Sequence, residues 1–137
     1  MAVGHAMQIE VPQDLYERIH QIAQLANTTE ENALLEGMPW LYTVLPPDID
    51  ASLKKLQNLS IVQLWAVVYQ RLTAQDKQRL HTLSEHNKRE NLAAAEQEEL
   101  SNLLQLVDYQ MLLRSEALVI LKAQGQDIES YRRNPLP

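Results

Sequence analysis

The amino-acid sequence predicts a mainly α-helical protein with a short N-terminal strand and one long last helix. Leu, Gln, Ala and Glu are its commonest residues and only three glycines occur in 137 positions, a composition that favours helices. Apolar residues recur at helical spacing over most of the chain, whereas residues 7–11, MQIEV, alternate as a half-buried strand does. We therefore expect a strand and two helices, followed by an antiparallel helical bundle or hairpin.

The strand and the first two helices are predicted within the first 38 residues. Pro12 ends the strand at residues 7–11, because proline donates no hydrogen bond to a sheet ladder. A helix follows from about residue 13 to 26, with apolar side chains at i, i+4 and i+7. Thr28 has the sequence context of a capping box and opens a second helix, which ends near Gly37.

The following segment, PWLYTVLPPDID, has no helical period and holds three of the six prolines, which indicates a connector. Its apolar content predicts that it packs against another part of the chain. The predicted division of the chain is a module at residues 1–38, a connector at 39–50, a helical domain at 51–125 and a loose tail at 126–137.

Helical caps divide the predicted helical domain. Ser60 and Thr73 are placed to cap two helices, and Gly125 to stop the last one, which extends from roughly residue 94 to 124. The apolar positions predicted to face inward from this last helix are Leu100, Leu103, Leu104, Val107, Met111, Leu118 and Leu121.

The residue types argue against catalysis. The chain has no cysteine, which excludes disulfides, thiolate zinc sites and cysteine nucleophiles. His81 and His86 are five residues apart and point about 140° away from each other on a helix, so they form no joint metal site. No phosphate loop or nucleophile elbow is present either. We therefore expect a protein that is not an enzyme and holds no cofactor or metal.

The chain is expected to be cytoplasmic. No apolar run approaches the roughly 18 residues needed to span a bilayer. The first residues, MAVGHAMQIEVPQ, lack the basic and apolar regions of a secretory signal.

Two parts of the sequence resemble known groups of proteins. IEVPQDLYERIHQIAQLANTTEENALLEGM resembles the N-terminus of ribbon-helix-helix proteins, which include antitoxins of toxin–antitoxin pairs. LSIVQLWAVVYQRLTAQDKQRLHTLSEHN and EQEELSNLLQLVDYQMLLRSEALVILKAQG are similar to uncharacterised bacterial proteins, frequent in cyanobacteria, from which no activity carries over. Ala93 stands where those proteins commonly have a capping Thr, so the last helix is expected to start earlier or to fray.

The ribbon-helix-helix resemblance implies a homodimer in which two strands pair across a twofold axis. The residues expected to be buried in that dimer are Ile9, Val11, Leu15, Ile19, Ile22, Leu34 and Met38.

The same resemblance implies that solvent-facing strand residues read DNA, and here these are Gln8 and Glu10. Gln pairs with adenine and Glu accepts from cytosine. However, Met1–Leu45 holds six acids and one base, and Glu30 and Glu31 occupy the helix start where the family holds a phosphate. Because cationic contacts dominate DNA affinity, this charge favours dimerisation without DNA binding.

The sequence thus predicts a non-enzymatic, antitoxin-like or adaptor protein that dimerises and binds a second protein, such as a toxin or nuclease, through its C-terminal helices. Aromatic residues, Met and Arg are enriched at interfaces. The residues nominated for that contact are Trp65, Tyr69, Tyr109, Met111 and Arg114. The apolar stripes also favour core positions for Trp65 and Met111. The alternatives are a ribbon-helix-helix DNA-binding regulator and a helical scaffold subunit of a larger complex.

Overall fold

The computed structural model describes residues 12–89 and 92–133, and within these ranges the chain forms helices joined by short turns. The α-helices are α1 (Gln13–Leu25), α2 (Glu30–Gly37), α3 (Ile49–Lys55), α4 (Ile61–Val68), α5 (Ala74–Arg89), α6 (Ala94–Ala123) and α7 (Ile128–Arg133). Two 3₁₀ turns, Met38–Trp40 and Leu56–Asn58, extend α2 and α3.

The predicted fold class is wrong in its N-terminal part. No strand occurs in the described ranges, where strand-like pairing is limited to an isolated parallel bridge between Tyr42 and Arg71. The predicted strand at residues 7–11, with Ile9 and Val11, lies outside the described residues. A ribbon-helix-helix-like start is therefore not shown, and the mainly α class is.

The N-terminal part differs from the prediction because α1 and α2 bury their apolar faces against α4 of the same chain. Both helices pack on α4, and Ile22 and Ala33 belong to the same hydrophobic cluster as Trp65 of α4 and Leu121 of α6. Ile22, Ala33 and Trp65 are fully buried. The core therefore extends from α1 to α7. The apolar face of α1, which the sequence pattern predicted to lie in a dimer interface, is covered by other helices of the same chain.

Helix α4 lies at the centre of that core. It is short and apolar on all sides, and every residue from Leu64 to Val68 is completely buried. Such a helix is stable only when neighbours cover its whole circumference. Helices α1, α2 and α6 contact it.

Local hydrogen bonds explain where the helices begin. Ser60 and Gln63 form the capping box of α4, each side chain accepting from the other's backbone N–H at 3.1 and 3.0 Å. Helix α2 starts one residue later than predicted: Thr29, not Thr28, accepts from the backbone N–H of Asn32 at 3.1 Å.

The ends of α6 lie close to the predicted positions. Its first turn is capped at Ala93, whose N–H donates to Glu96 at 3.3 Å, so the helix begins at Ala94 without a capping Thr. Gly125 has a φ of 82° and ends the helix in a Schellman motif, with bonds from Gly125 to Lys122 and from Gln126 to Leu121.

Residues predicted as a loose tail instead include α7. Ile128 is buried, and the ring of Tyr131 meets Tyr69 edge-on with centroids 5.4 Å apart. Tyr131 also lies 6.1 Å from the ring of Trp65. Aromatic packing therefore anchors the C-terminal helix to α4.

Candidate functional site

The residues nominated for partner binding divide between the core and the surface. Trp65 and Tyr69 are buried in α4 and the turn that follows it, and Tyr109 is buried on α6. The indole N–H of Trp65 donates to Gln126 at 3.0 Å, which satisfies its polar group inside the protein. Met111 is 57% exposed. Of the aromatic and Met residues nominated, only Met111 offers surface to a partner.

Arg114 lies at the edge of the core, half-buried, and its Nε donates to the carbonyl of Val68 at 3.2 Å. Glu116 and Asp108 lie near Arg114 in sequence, but the bond found is to a backbone carbonyl. Since Val68 is the last residue of α4, Arg114 covers a helix-terminal carbonyl.

Met111 belongs to an exposed apolar surface that runs along α6, which we call the outer face. Its apolar members are Leu104, Met111, Leu112 and Val119, with exposures of 48%, 57%, 51% and 63%. At 100° per residue they fall within a sector of about 100°. The opposite side of α6 carries the buried residues Leu106, Leu113, Ala117 and Ile120. Helix α6 is therefore apolar on two opposite sides, of which the protein covers one.

Polar groups are sparse on the outer face. Asp108 and Ser115 lie between its apolar members and are exposed, and Lys122 lies beyond Val119. An exposed apolar strip interrupted by isolated polar groups is compatible with a helix-in-groove or helix–helix contact. The sequence interpretation missed this surface because it assigned Leu104 to the core. The available signal was a second apolar stripe at heptad spacing on the same helix.

The described residues nominated for a dimer interface lie partly in the core and partly at the surface. Ile19 and Ile22 are buried by this chain's own helices, Leu15 and Leu34 are partly buried against the same core, and Met38 is 53% exposed. The nominated base-reading residues, Gln8 and Glu10, lie outside the described residues.

Acidic residues form the first turn of α2, at the position where a ribbon-helix-helix DNA-binding protein would hold a phosphate. Glu30 is its first residue, and its Oε1 lies 3.0 Å from Nδ1 of His20 and 3.4 Å from the hydroxyl of Tyr16. The charge and hydrogen bonds of Glu30 raise the pKa of Tyr16. Glu31 follows and is exposed.

Arg18 is a buried base that the sequence interpretation did not single out. It is 2% exposed, and its Nη1 donates to the carbonyls of Leu41 at 2.8 Å and Tyr69 at 3.0 Å. The ring of Tyr42 lies 5.3 Å from its Cζ, a cation–π distance. A signal was present, since Arg18 is three residues after Leu15 and shares the apolar side of α1.

Within residues 12–89 and 92–133, no group of three or more His, Asp or Glu side chains is arranged to hold a metal ion. In the same ranges no helix combines the length and apolarity required to cross a bilayer.

No family model matches the chain, and no curated protein or solved structure is significantly similar to it.

Proposed function

We propose that this chain is a non-enzymatic protein-binding protein whose outer face of α6 receives an apolar helix of a partner. The single observation that carries the proposal is the exposure of four large apolar side chains on one side of a 30-residue helix. Monomeric proteins rarely leave several large apolar side chains uncovered together on one helix face, because their hydration is unfavourable.

The shape of the surface supports a helical occupant. Leu104 and Met111 are seven residues apart and differ by only about 20° around the helix axis, and Val119 lies about 60° from Leu104 on the same side. A second helix places its own apolar residues between side chains at this spacing, as in coiled coils. The line spans about 22 Å at 1.5 Å per residue, or about four turns of a partner helix.

The rigidity of α6 also supports the proposal. Its inner side is packed against α4, and α5 contacts it as well. A surface presented by a fixed helix loses little conformational entropy on binding, which leaves more of the apolar contact energy for affinity.

The test compares a charged double variant with a matched control. Met111→Glu/Leu112→Glu places two carboxylates in the centre of the outer face, while Gln57→Glu/Asn58→Asp makes the same charge change on an exposed turn remote in sequence. Each protein is tagged, purified from the cells that make it, and compared for bound proteins and for mass by light scattering.

We expect the wild type and the control to retain the same partner, and the outer-face variant to lose it by at least tenfold. Far-UV circular dichroism should be unchanged, because both altered residues are half exposed or more. A mass that is doubled in the wild type and single in the outer-face variant would identify the partner as a second copy. A wild type that binds nothing, or equal binding by all three proteins, would contradict the proposal.

A further inference from the structure

A second candidate site, independent of the outer face, is a groove between α1 and the start of α5. Its volume is about 600 Å³. The residues that line it are Pro12, Asp14, Glu17, Arg18, Tyr42, Arg71, Leu72, Ala74, Lys77 and Gln110. Three of these residues are bases, although the whole chain carries a net charge of −6.

Arg18 is the deepest of the three bases. Its Nη1 is bonded to two carbonyls, but its Nε and Nη2 are buried and have no hydrogen-bond partner. A guanidinium group has five N–H donors, and leaving them unpaired away from water is costly. Its positive charge also acts strongly on the groove, because little water screens it.

Arg71 and Lys77 add positive charge on the side of the groove that leads into α5. Arg71 is half-buried, and its burial together with the charges of Arg114 and Arg18 lowers its pKa. Lys77 is exposed in the first turns of α5. Arg114 does not line the groove, so the bases that an entering anion meets are Arg18, Arg71 and Lys77.

The start of α5 contributes a third feature. Ala74 is its first residue and lines the groove, and the hydroxyl of Thr73 accepts from the N–H of Asp76 at 3.1 Å. Free N–H groups and the helix dipole at the start of a 16-residue helix favour an anion there.

The opposite wall limits what the groove can take. Asp14 and Glu17 of α1 line it, and neither forms an ion pair with Lys77 within 4.0 Å in the described part of the chain. Two carboxylates near the mouth disfavour a large polyanion such as nucleic acid. A compact molecule with one anionic group, whose remainder is neutral or cationic, satisfies both walls.

We propose that this groove binds a small carboxylate or phosphate compound, whose anionic group lies between Lys77 and the first N–H groups of α5, with the charge of Arg18 behind it. The ligand class follows from a lining that holds three bases and two carboxylates, and from a volume suited to a metabolite-sized molecule.

The test is a titration followed by backbone amide NMR at constant ionic strength. Sodium phosphate and sodium acetate are the probes, and sodium chloride balances the salt. The proteins are the wild type, Lys77→Gln and the matched control Lys88→Gln, which removes an exposed lysine from the far end of the same helix. Saturable shifts at Ala74 and Gln75 are expected with at least one probe, and the effective probe identifies a carboxylate or a phosphate site.

Lys77→Gln should weaken binding about tenfold, because one charge-assisted hydrogen bond is lost, while Lys88→Gln should leave it unchanged. Glu17→Gln should strengthen binding, since it removes a repelling charge from the α1 wall. Shifts that do not saturate, equal effects of the two lysine variants, or weaker binding by Glu17→Gln would each overturn the proposal. Arg18 is not replaced, because its two bonds to carbonyls support the fold.

Discussion

Several buried side chains near the bridge between Tyr42 and Arg71 have polar atoms that form no hydrogen bond. The buried polar atoms without a hydrogen-bond partner in the described ranges belong to Arg18, Thr43, Tyr69 and Gln70. Buried polar groups are normally paired. Because these atoms lie close together, this region differs from the apolar core around α4. It is the part of the fold where buried polar groups could bind a ligand.

Tyr69 gives a pH-dependent prediction at this scale. Burial raises the pKa of Tyr69 to about 12. The nearby Tyr131 also raises this pKa, and the charge of Arg71 lowers it. The unfolded chain releases the phenolic proton near pH 10, while the folded chain keeps it until about pH 12. Stability from this group is therefore complete below pH 10 and is lost as the pH rises towards 12.

Tyr69→Phe should consequently flatten the fall in melting temperature between pH 10 and 12, which in the wild type corresponds to roughly 2 kcal/mol. At pH 7 the variant should be within about 1 kcal/mol of the wild type, because the hydroxyl it removes has no partner. Tyr42→Phe is the control, since Tyr42 is exposed. Identical pH profiles for the wild type and Tyr69→Phe would show that this hydroxyl is not buried in the folded state.

Elements whose ends are set by local hydrogen bonds could be predicted from the sequence. Ser60 and Gly125 lie at the predicted helix ends because a cap or a positive φ depends only on neighbouring residues. Helix α7 was missed because its stability comes from Tyr131 packing on residues more than 60 positions away. The N-terminal strand was predicted from five residues, which lie outside the described part of the chain.

The orientation of α6 illustrates a different limit. Its sequence carries one apolar stripe through Leu106 and Leu113 and another through Leu104 and Met111. Periodicity cannot decide which of two opposite stripes is buried. The outcome depends on α4, whose side chains fit the first stripe. The second stripe was visible in the sequence, but which of the two stripes is exposed could not be predicted from it, although Met111 was nominated for contact.

The packing of α2 on α4 gives a prediction at the scale of elements. A Cβ added to Gly37 would lie 3.0 Å from the Cβ of Ala66, closer than ordinary contact. Ala66 is fully buried and cannot move away. Gly37→Ala should therefore destabilise the protein by about 1 kcal/mol in chemical denaturation, because overpacking exceeds the gain in helix propensity.

The compensating variant Gly37→Ala/Ala66→Gly should recover part of that loss relative to the sum of the two single changes, as a double-mutant cycle would measure. Additive effects in the cycle would mean that the two positions are not in contact and that α2 packs on α4 differently.

At the scale of the whole molecule, the shared core predicts cooperative unfolding. Apolar residues of α1, α2, α4, α6 and α7 form one cluster, so no part of it can separate without exposing the rest. We expect urea unfolding curves from far-UV circular dichroism and from tryptophan fluorescence to coincide. Two transitions, with α1 and α2 melting before α6, would instead indicate an independent N-terminal module.

The two candidate surfaces should respond differently to charge and to salt. The net charge of −6 gives no general attraction for nucleic acid. Apolar binding at the outer face is insensitive to that charge, whereas the groove between α1 and α5 relies on a local excess of bases. We therefore expect the outer-face contact to persist at high salt and the anion contact to weaken.

The most direct test of the protein-binding proposal is site-specific photo-crosslinking in the cells that make the protein. A photoreactive amino acid at Leu112, in the centre of the outer face, is compared with one at Gln57, on an exposed turn. The proposal predicts a discrete crosslinked species from position 112 that is absent from position 57. No crosslinked species from position 112, or the same species from both positions, would contradict it.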